Sequence, residues 1–404
     1  MSVPHSLRKW IVLLIASAFV LVVYLMQYQI AALAFLIVPD MGLDSVQLSN
    51  LMFAPMALAA VVGIPLGMLS DRFGFHRVVG VCGLFSLGAA FLRAFAIDLS
   101  SYGLLALGSF LLGLAPAALN SNVMRMFGAW FEDKASIAIG VYYAASGLGA
   151  ALAMLISASS TSASVSLLAS AVVLCVVIIA WMLLVRDAPQ ESKNTVLEQT
   201  SWKSLRHATM SSVVWIVALI TGLGLAAKTA YLNFLPLALV TNAATDDPNT
   251  LAAIVTYGGI LGCIIGPAIC VRQKHPRAFV MVIACVAAGI MAMTSFSSGD
   301  LLIIILFGAG LLSSVTAPIV EAIPCALPSL RNCVSSAGGI IGSVSLAMTY
   351  VIPLLITAIS EGDYSFMVVL TSVCFLLMVP FLAMLPGISP EQLRAVEEQG
   401  HDEA

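Results

Sequence analysis

Residues 10–36 read WIVLLIASAFVLVVYLMQYQIAALAFL, a stretch without one charged side chain. A helix needs about 20 apolar residues to cross the hydrocarbon core of a bilayer, so this run is long enough to span it. Ala16-Ser17-Ala18 could pass for a signal-peptidase site, but the apolar run continues through Leu36, and the reading is an uncleaved first span. Similar runs recur at 47–69, 78–97, 102–127, 136–159, 165–185, 212–241, 251–271, 278–296, 301–325, 335–360 and 366–386. Each predicts a helix, because a lone segment in lipid must satisfy its own backbone hydrogen bonds.

Composition agrees with this reading. The chain is 61% hydrophobic and 9% charged, whereas a soluble domain carries roughly 25% charged residues. The net charge of -3 and the lack of a basic stripe exclude a nucleic-acid partner; the partners expected are a small-molecule substrate and the lipid bilayer. Cys82, Cys175, Cys263, Cys270, Cys285, Cys325, Cys333 and Cys374 lie in or beside apolar segments without CxxC spacing, so they read as buried thiols, and neither metal nor cofactor is expected. An enzyme would need paired acids, a metal cluster or a Ser/His dyad at membrane depth, and the spans contain one acid. No Walker loop occurs, which argues against a primary pump.

Lys and Arg stay on the cytoplasmic side during insertion. With the N-terminus inside, Arg8, Lys9, Arg72, Arg77, Lys134, Arg186, Lys193, Lys203, Arg206, Arg272, Lys274, Arg277, Arg331 and Arg394 all fall in cytoplasmic segments, while the outer loops carry Asp40, Asp44, Asp98, Asp246, Asp247, Asp300, Glu361 and Asp363. An even number of spans returns the C-terminus to the cytoplasm, and a bacterial inner membrane is expected. The polar stretch before Ser212 divides the chain into a six-helix bundle at 1–186, a linker at 187–211, a second six-helix bundle at 212–386 and a tail at 387–404. The halves echo each other at an offset near 200: Arg72 with Arg272, Arg77 with Arg277, and, slipped by one, Gly63 with Gly262 and Gly67 with Gly266. Repeated six-helix halves are what two-lobed transporters show. The fold class expected is an all-α membrane protein of twelve helices in two pseudo-symmetric bundles around a central cavity, working as a monomer.

After the second span the chain reads Gly67-Met68-Leu69-Ser70-Asp71-Arg72-Phe73-Gly74-Phe75-His76-Arg77. This resembles the signature loop of the major facilitator superfamily, matching it at Gly67, Asp71, Arg72 and Gly74; Phe75 and His76 replace two commonly basic positions, leaving Arg77. The resemblance implies that the loop latches the cytoplasmic gate. Val271 stands where a second-half copy would carry its Asp. The segment Ala129-Trp130-Phe131-Glu132-Asp133-Lys134, with the small-residue run at 144–151, is similar to the anion-importing members, among them nitrate/nitrite, oxalate/formate and cyanate-type carriers. The arginines that nitrate/nitrite carriers hold in the second and eighth spans are missing, as is their Gly-Asn signature, for which Gly338-Gly339-Ile340-Ile341-Gly342 stands in. The antiporter Gly-Pro is absent from the fifth span.

Ionisable groups at membrane depth are costly and mark function by default. Arg93, about one turn from the outer end of its span, reads as an anchor that snorkels or meets Asp98. Arg125 reads either as an interface anchor or as cavity lining. Lys228 sits mid-span in the seventh helix, which faces the cavity in the resembled family; its alternative is a buried ion pair. At the corresponding place in the first half stands Tyr28, within a cluster of Tyr24, Gln27 and Gln29. Tyr231 and Asn122 complete the expected substrate contacts. Glu321 is the only acid inside a span and hence the coupling candidate, or else a structural partner for Arg125 or Arg331. The function expected is secondary transport of a small organic anion, proton-coupled; an inorganic-anion carrier or efflux of a neutral or drug-like solute are the alternatives.

Overall fold

The computed structural model describes residues 5–131, 135–187, 202–241, 247–270, 273, 275–321, 323 and 334–385. The linker beyond Asp187, the tail after Leu385, and the side chains of Asp71 and Arg125 lie outside the described residues. Twelve helices are long and apolar enough to cross a membrane, and no strand occurs among the described residues. Their bounds stay close to those read from the apolar runs. The seventh span, Ser212–Thr241, coincides with its expectation.

Two spans are broken where the runs gave no sign of it. The first, His5–Ala32, is followed after Leu33 by a short helix, Ala34–Met41. The fourth is split into Tyr102–Leu112 and Leu114–Phe131. At the break, a Cβ on Gly113 would run into the backbone carbonyl of Pro55 in the second span, so only glycine admits that approach.

The charges sort the bundle into two ends. At the acidic end, Asp44 caps the second span: its Oδ1 accepts from the Gln47 N–H at 2.7 Å while the Asp44 N–H donates to Gln47 Oε1 at 3.2 Å. Asp363 accepts from Ser365 and Phe366 at the start of the twelfth span, and Asp247 from Thr250 at the start of the eighth. Acids placed where helices begin satisfy orphan N–H groups and complement the positive helix end. At the basic end, Asp187 follows the sixth span and accepts the His76 N–H at 3.0 Å. It lies against Gly74, whose φ of +88° permits the turn into the third span. Its carboxylate thus sits against the N-terminus of the third span, where it complements the positive helix end.

The interior has two apolar cores, and their membership is informative. One holds only first-half residues from the basic-end portion, including Val12, Phe19, Val79, Leu119, Phe127 and Trp181. The other runs through the second half and also takes in the acidic-end portion of the first half, including Ile30, Leu33, Leu51, Phe53, Leu105 and Met154. The halves therefore share a core at the acidic end, whereas toward the basic end the first half keeps a core of its own. Hydrogen bonds between the halves reinforce the closed end. Ser49 Oγ and Thr357 Oγ1 lie 2.6 Å apart, Tyr350 donates to Asn50 Oδ1 at 3.0 Å, and Asn249 donates to the Ala32 carbonyl at 3.1 Å; within the first half, Asn50 also donates to Tyr102 at 2.9 Å. The Phe53 and Phe234 rings meet edge to face at 5.7 Å.

Candidate functional site

The seventh span owes its polar mid-section to Lys228-Thr229 in an otherwise apolar helix. Thr229 is buried, and Lys228 keeps part of its side chain accessible. Across the boundary between halves, the Tyr28 phenol lies beside the Thr229 side chain. The first-half polar cluster and Lys228 therefore stand at the same depth, as the offset of 200 suggests. Lys228 Nζ points into its own half, 3.7 Å from where a Cβ of Gly259 in the eighth span would stand. No acid among the described residues forms an ion pair with it.

The first-half wall is rich in phenols. Tyr142 donates to Asn120 Oδ1 at 3.0 Å, and Tyr24 lies beside the Asn120 side chain. Tyr142 packs edge to face on Phe127 at 5.9 Å and on Tyr143 at 5.5 Å. Tyr24 and Tyr143 both lie within electrostatic reach of Glu321 in the tenth span. Glu321 is exposed at the basic-end mouth, with no ion pair to a described residue. Tyr24 of one half and Glu321 of the other thus lie near each other across the boundary between the halves.

The other expected site residues are placed as follows. Gln27 is buried, and its Nε2 has no hydrogen-bond partner. Asn122 is buried; it donates to the Ala118 carbonyl at 2.8 Å, and its Oδ1 is unpartnered. The Tyr231 hydroxyl pairs at 2.7 Å with Thr294 Oγ1 at the end of the ninth span, within the second half. In the signature loop, Gly67 lies 3.8 Å, measured from a built Cβ, from Ser121 of its own half. Arg72 and Arg77 are exposed, and the Arg72 guanidinium lies 5.4 Å from the Phe73 ring centroid.

Arg93 corrects an expectation. It neither snorkels nor meets Asp98; it is 1% exposed and donates Nη1 to the Met26 carbonyl at 3.0 Å. Its Cγ lies against Gly108, whose missing side chain gives the arginine room to turn inward. Distance from a helix end says nothing about which face a residue occupies, and here the face decides. Gln29, beside the site residues in sequence, turns away from them and bonds Ser166 and Ser170 of the sixth span.

Sequence reasoning missed the wall behind Lys228. Gly258, Gly262 and Gly266 recur every four residues along the eighth span. Cβ atoms on the first two would strike the backbone carbonyls of Phe307 and Leu311, and one on the third would strike Val315, all in the tenth span. Such a small-residue stripe lets two helices approach closely in lipid. The signal was present as Gly-xxx-Gly-xxx-Gly, of which only two members entered the repeat comparison.

The model of the Major Facilitator Superfamily matches residues 15–350. No curated protein matches the chain. Among solved structures, the fold is similar to the fucose:proton symporter of E. coli, with a TM-score of 0.62 and 14% identity over 92% of this chain and 99% of that one. It is also similar to a bacterial homologue of the human lysosomal transporter Spinster in an inward-facing, unoccupied conformation, with a TM-score of 0.71 and 16% identity over 98% of this chain and 99% of that one. At such identities the likeness is one of fold.

Proposed function

We propose, from the premise that this chain belongs to the Major Facilitator Superfamily, that it carries a small organic anion across the bacterial inner membrane by alternating access, with proton coupling. The observation that carries the reading is Lys228, a cation in mid-span that no acid of the described residues neutralises. A charge at that depth is expensive, and a mobile anion supplies its counter-charge. Tyr28 of the opposite half stands at the same level, so both halves contribute to one site, as a carrier that rocks around its substrate requires.

Both termini are cytoplasmic in this reading, which makes the basic end the inner face and the present conformation inward-facing. Glu321 is then exposed to the cytoplasm. Closing the basic end would remove it from water, and desolvation favours the protonated form of a carboxyl. Proton uptake and release by Glu321 would thus follow the conformational cycle. The 1–186 and 212–386 bundles would be the rocking units, and a monomer would suffice.

The test is uptake by proteoliposomes of radiolabelled carboxylates, driven by an imposed pH gradient. Lys228→Ala is expected to abolish saturable uptake, and Lys228→Arg to retain part of it, since charge survives but the compact ammonium does not. Saturable uptake by Lys228→Ala with near-normal affinity would make a neutral solute the better substrate class.

A further inference from the structure

We infer that the short helix Trp202–Thr209, which leads into the seventh span, carries a site for an anionic glycerophospholipid at the basic end, with the phosphate on Arg206 and His207 and an acyl chain laid along Met210 and Trp215. The helix packs against the seventh and eleventh spans. Leu205 and Ala208 are three residues apart, hence on one face, and both turn into the core that runs through the second half. Arg206, His207, Thr209 and Met210 are exposed. One face of the helix is thus used by the protein and the other is left bare.

Trp215 sets the level at which this bare face lies. The apolar span begins at Ser212, and Trp215, close to its head, is 44% exposed and donates its indole N–H to the Thr209 carbonyl at 2.9 Å. Tryptophans at the ends of spans sit at the membrane–water boundary, so this bond holds the end of the short helix at head-group depth. Met210 is 76% exposed, and its N–H donates to the carbonyls of Arg206 and His207 at 3.3 and 3.2 Å. A fixed cation, an imidazole, a bare thioether and an indole face therefore stand side by side. A soluble phosphate would meet the two polar groups and leave the apolar pair uncovered. A phospholipid covers both, its phosphate oxygens taking charge-assisted bonds from Arg206 and its chain burying the methionine.

The head of the first half carries a similar set in which the cation is already engaged. Lys9 Nζ stands 6.0 Å from the ring centroid of Trp10 and 5.8 Å from that of Phe131. Arg206 and His207 make no ring contact or ion pair with a described residue. The free charge is on the second half.

The experiment is photolabelling of the full chain in phosphatidylcholine vesicles that contain a trace of photoactivatable phosphatidylglycerol, with the crosslinks mapped by peptide mass spectrometry and a phosphatidylcholine probe of the same chains for comparison. The anionic probe is expected to mark residues 206–215 at least fivefold more than the zwitterionic one. Arg206→Gln should lower that labelling about fivefold, the effect of one basic residue at a membrane surface. Arg186→Gln removes another exposed cation of the basic end and should leave it unchanged. Arg206 is exposed, so its variant is expected to keep the parent melting temperature; if it misfolds, His207→Gln decides. No preference between the probes, or an equal loss in Arg186→Gln, reduces Arg206 and His207 to a complement of the negative helix end and overturns the site. Displacement of the label by soluble glycerol phosphate as readily as by unlabelled phosphatidylglycerol assigns the patch to a free phosphate compound and overturns the lipid.

Discussion

Replacing Thr357 with Val and Tyr350 with Phe removes two hydrogen bonds that join the halves at the acidic end, Ser49 to Thr357 at 2.6 Å and Tyr350 to Asn50 at 3.0 Å. Both substitutions keep the shape of the side chain, so packing in the shared core is largely preserved. A buried neutral hydrogen bond contributes about 1 kcal/mol net, and losing one partner leaves the other unsatisfied in the closed arrangement. The same groups meet water when that end opens, so the penalty falls on the closed state alone. Two such losses amount to about 2 kcal/mol, which moves a two-state equilibrium about 30-fold. Spin labels at Val46 and Glu361, both exposed near this seam, report the change as a distance distribution by pulsed electron resonance. The double variant is expected to transfer population to a longer distance at the acidic end. A distribution unchanged from the parent, in a variant that melts normally, would refute the assignment of these bonds as the seal.

Two further expectations concern coupling and the helix wall. Glu321→Gln should eliminate accumulation driven by a pH gradient while leaving counterflow exchange measurable; accumulation that persists with normal pH dependence would place coupling elsewhere. Gly262→Ala puts a methyl into the Leu311 carbonyl, whereas Gly289→Ala meets nothing within 4 Å. The first should cost on the order of 1–3 kcal/mol as overpacking and lower the melting temperature, and the second should be close to neutral; equal melting curves would contradict the close approach of the eighth and tenth spans.

The spans were legible because a bilayer imposes one demand on every crossing segment, and apolar length meets it visibly. Lys228 and Glu321 were legible for the converse reason, as charges in an apolar run. What stayed hidden depends on helix faces and on partners far along the chain. Arg93 looks like an anchor when counted from the end of its span, yet it turns inward beside Gly108. Gly113 and Gly262 are small residues among many, and only the Pro55 carbonyl at one and the Leu311 carbonyl at the other give them meaning. Asp187 stands at the edge of a polar linker, where nothing local pairs it with His76, 111 residues away.

The shared core at the acidic end has a thermal consequence. Opening that end wets side chains such as Leu33, Leu51, Phe53 and Phe234 that are now fully buried, and exposing apolar surface raises heat capacity. The free-energy difference between the two orientations is then curved in temperature and not a straight line, as the stability of a folded domain is. Because apolar burial drives less strongly in the cold, chilling loosens the seam relative to its optimum. A carrier held shut by such a core would rest with a different balance of orientations in a cold cell than in a warm one, with no change in substrate or pH.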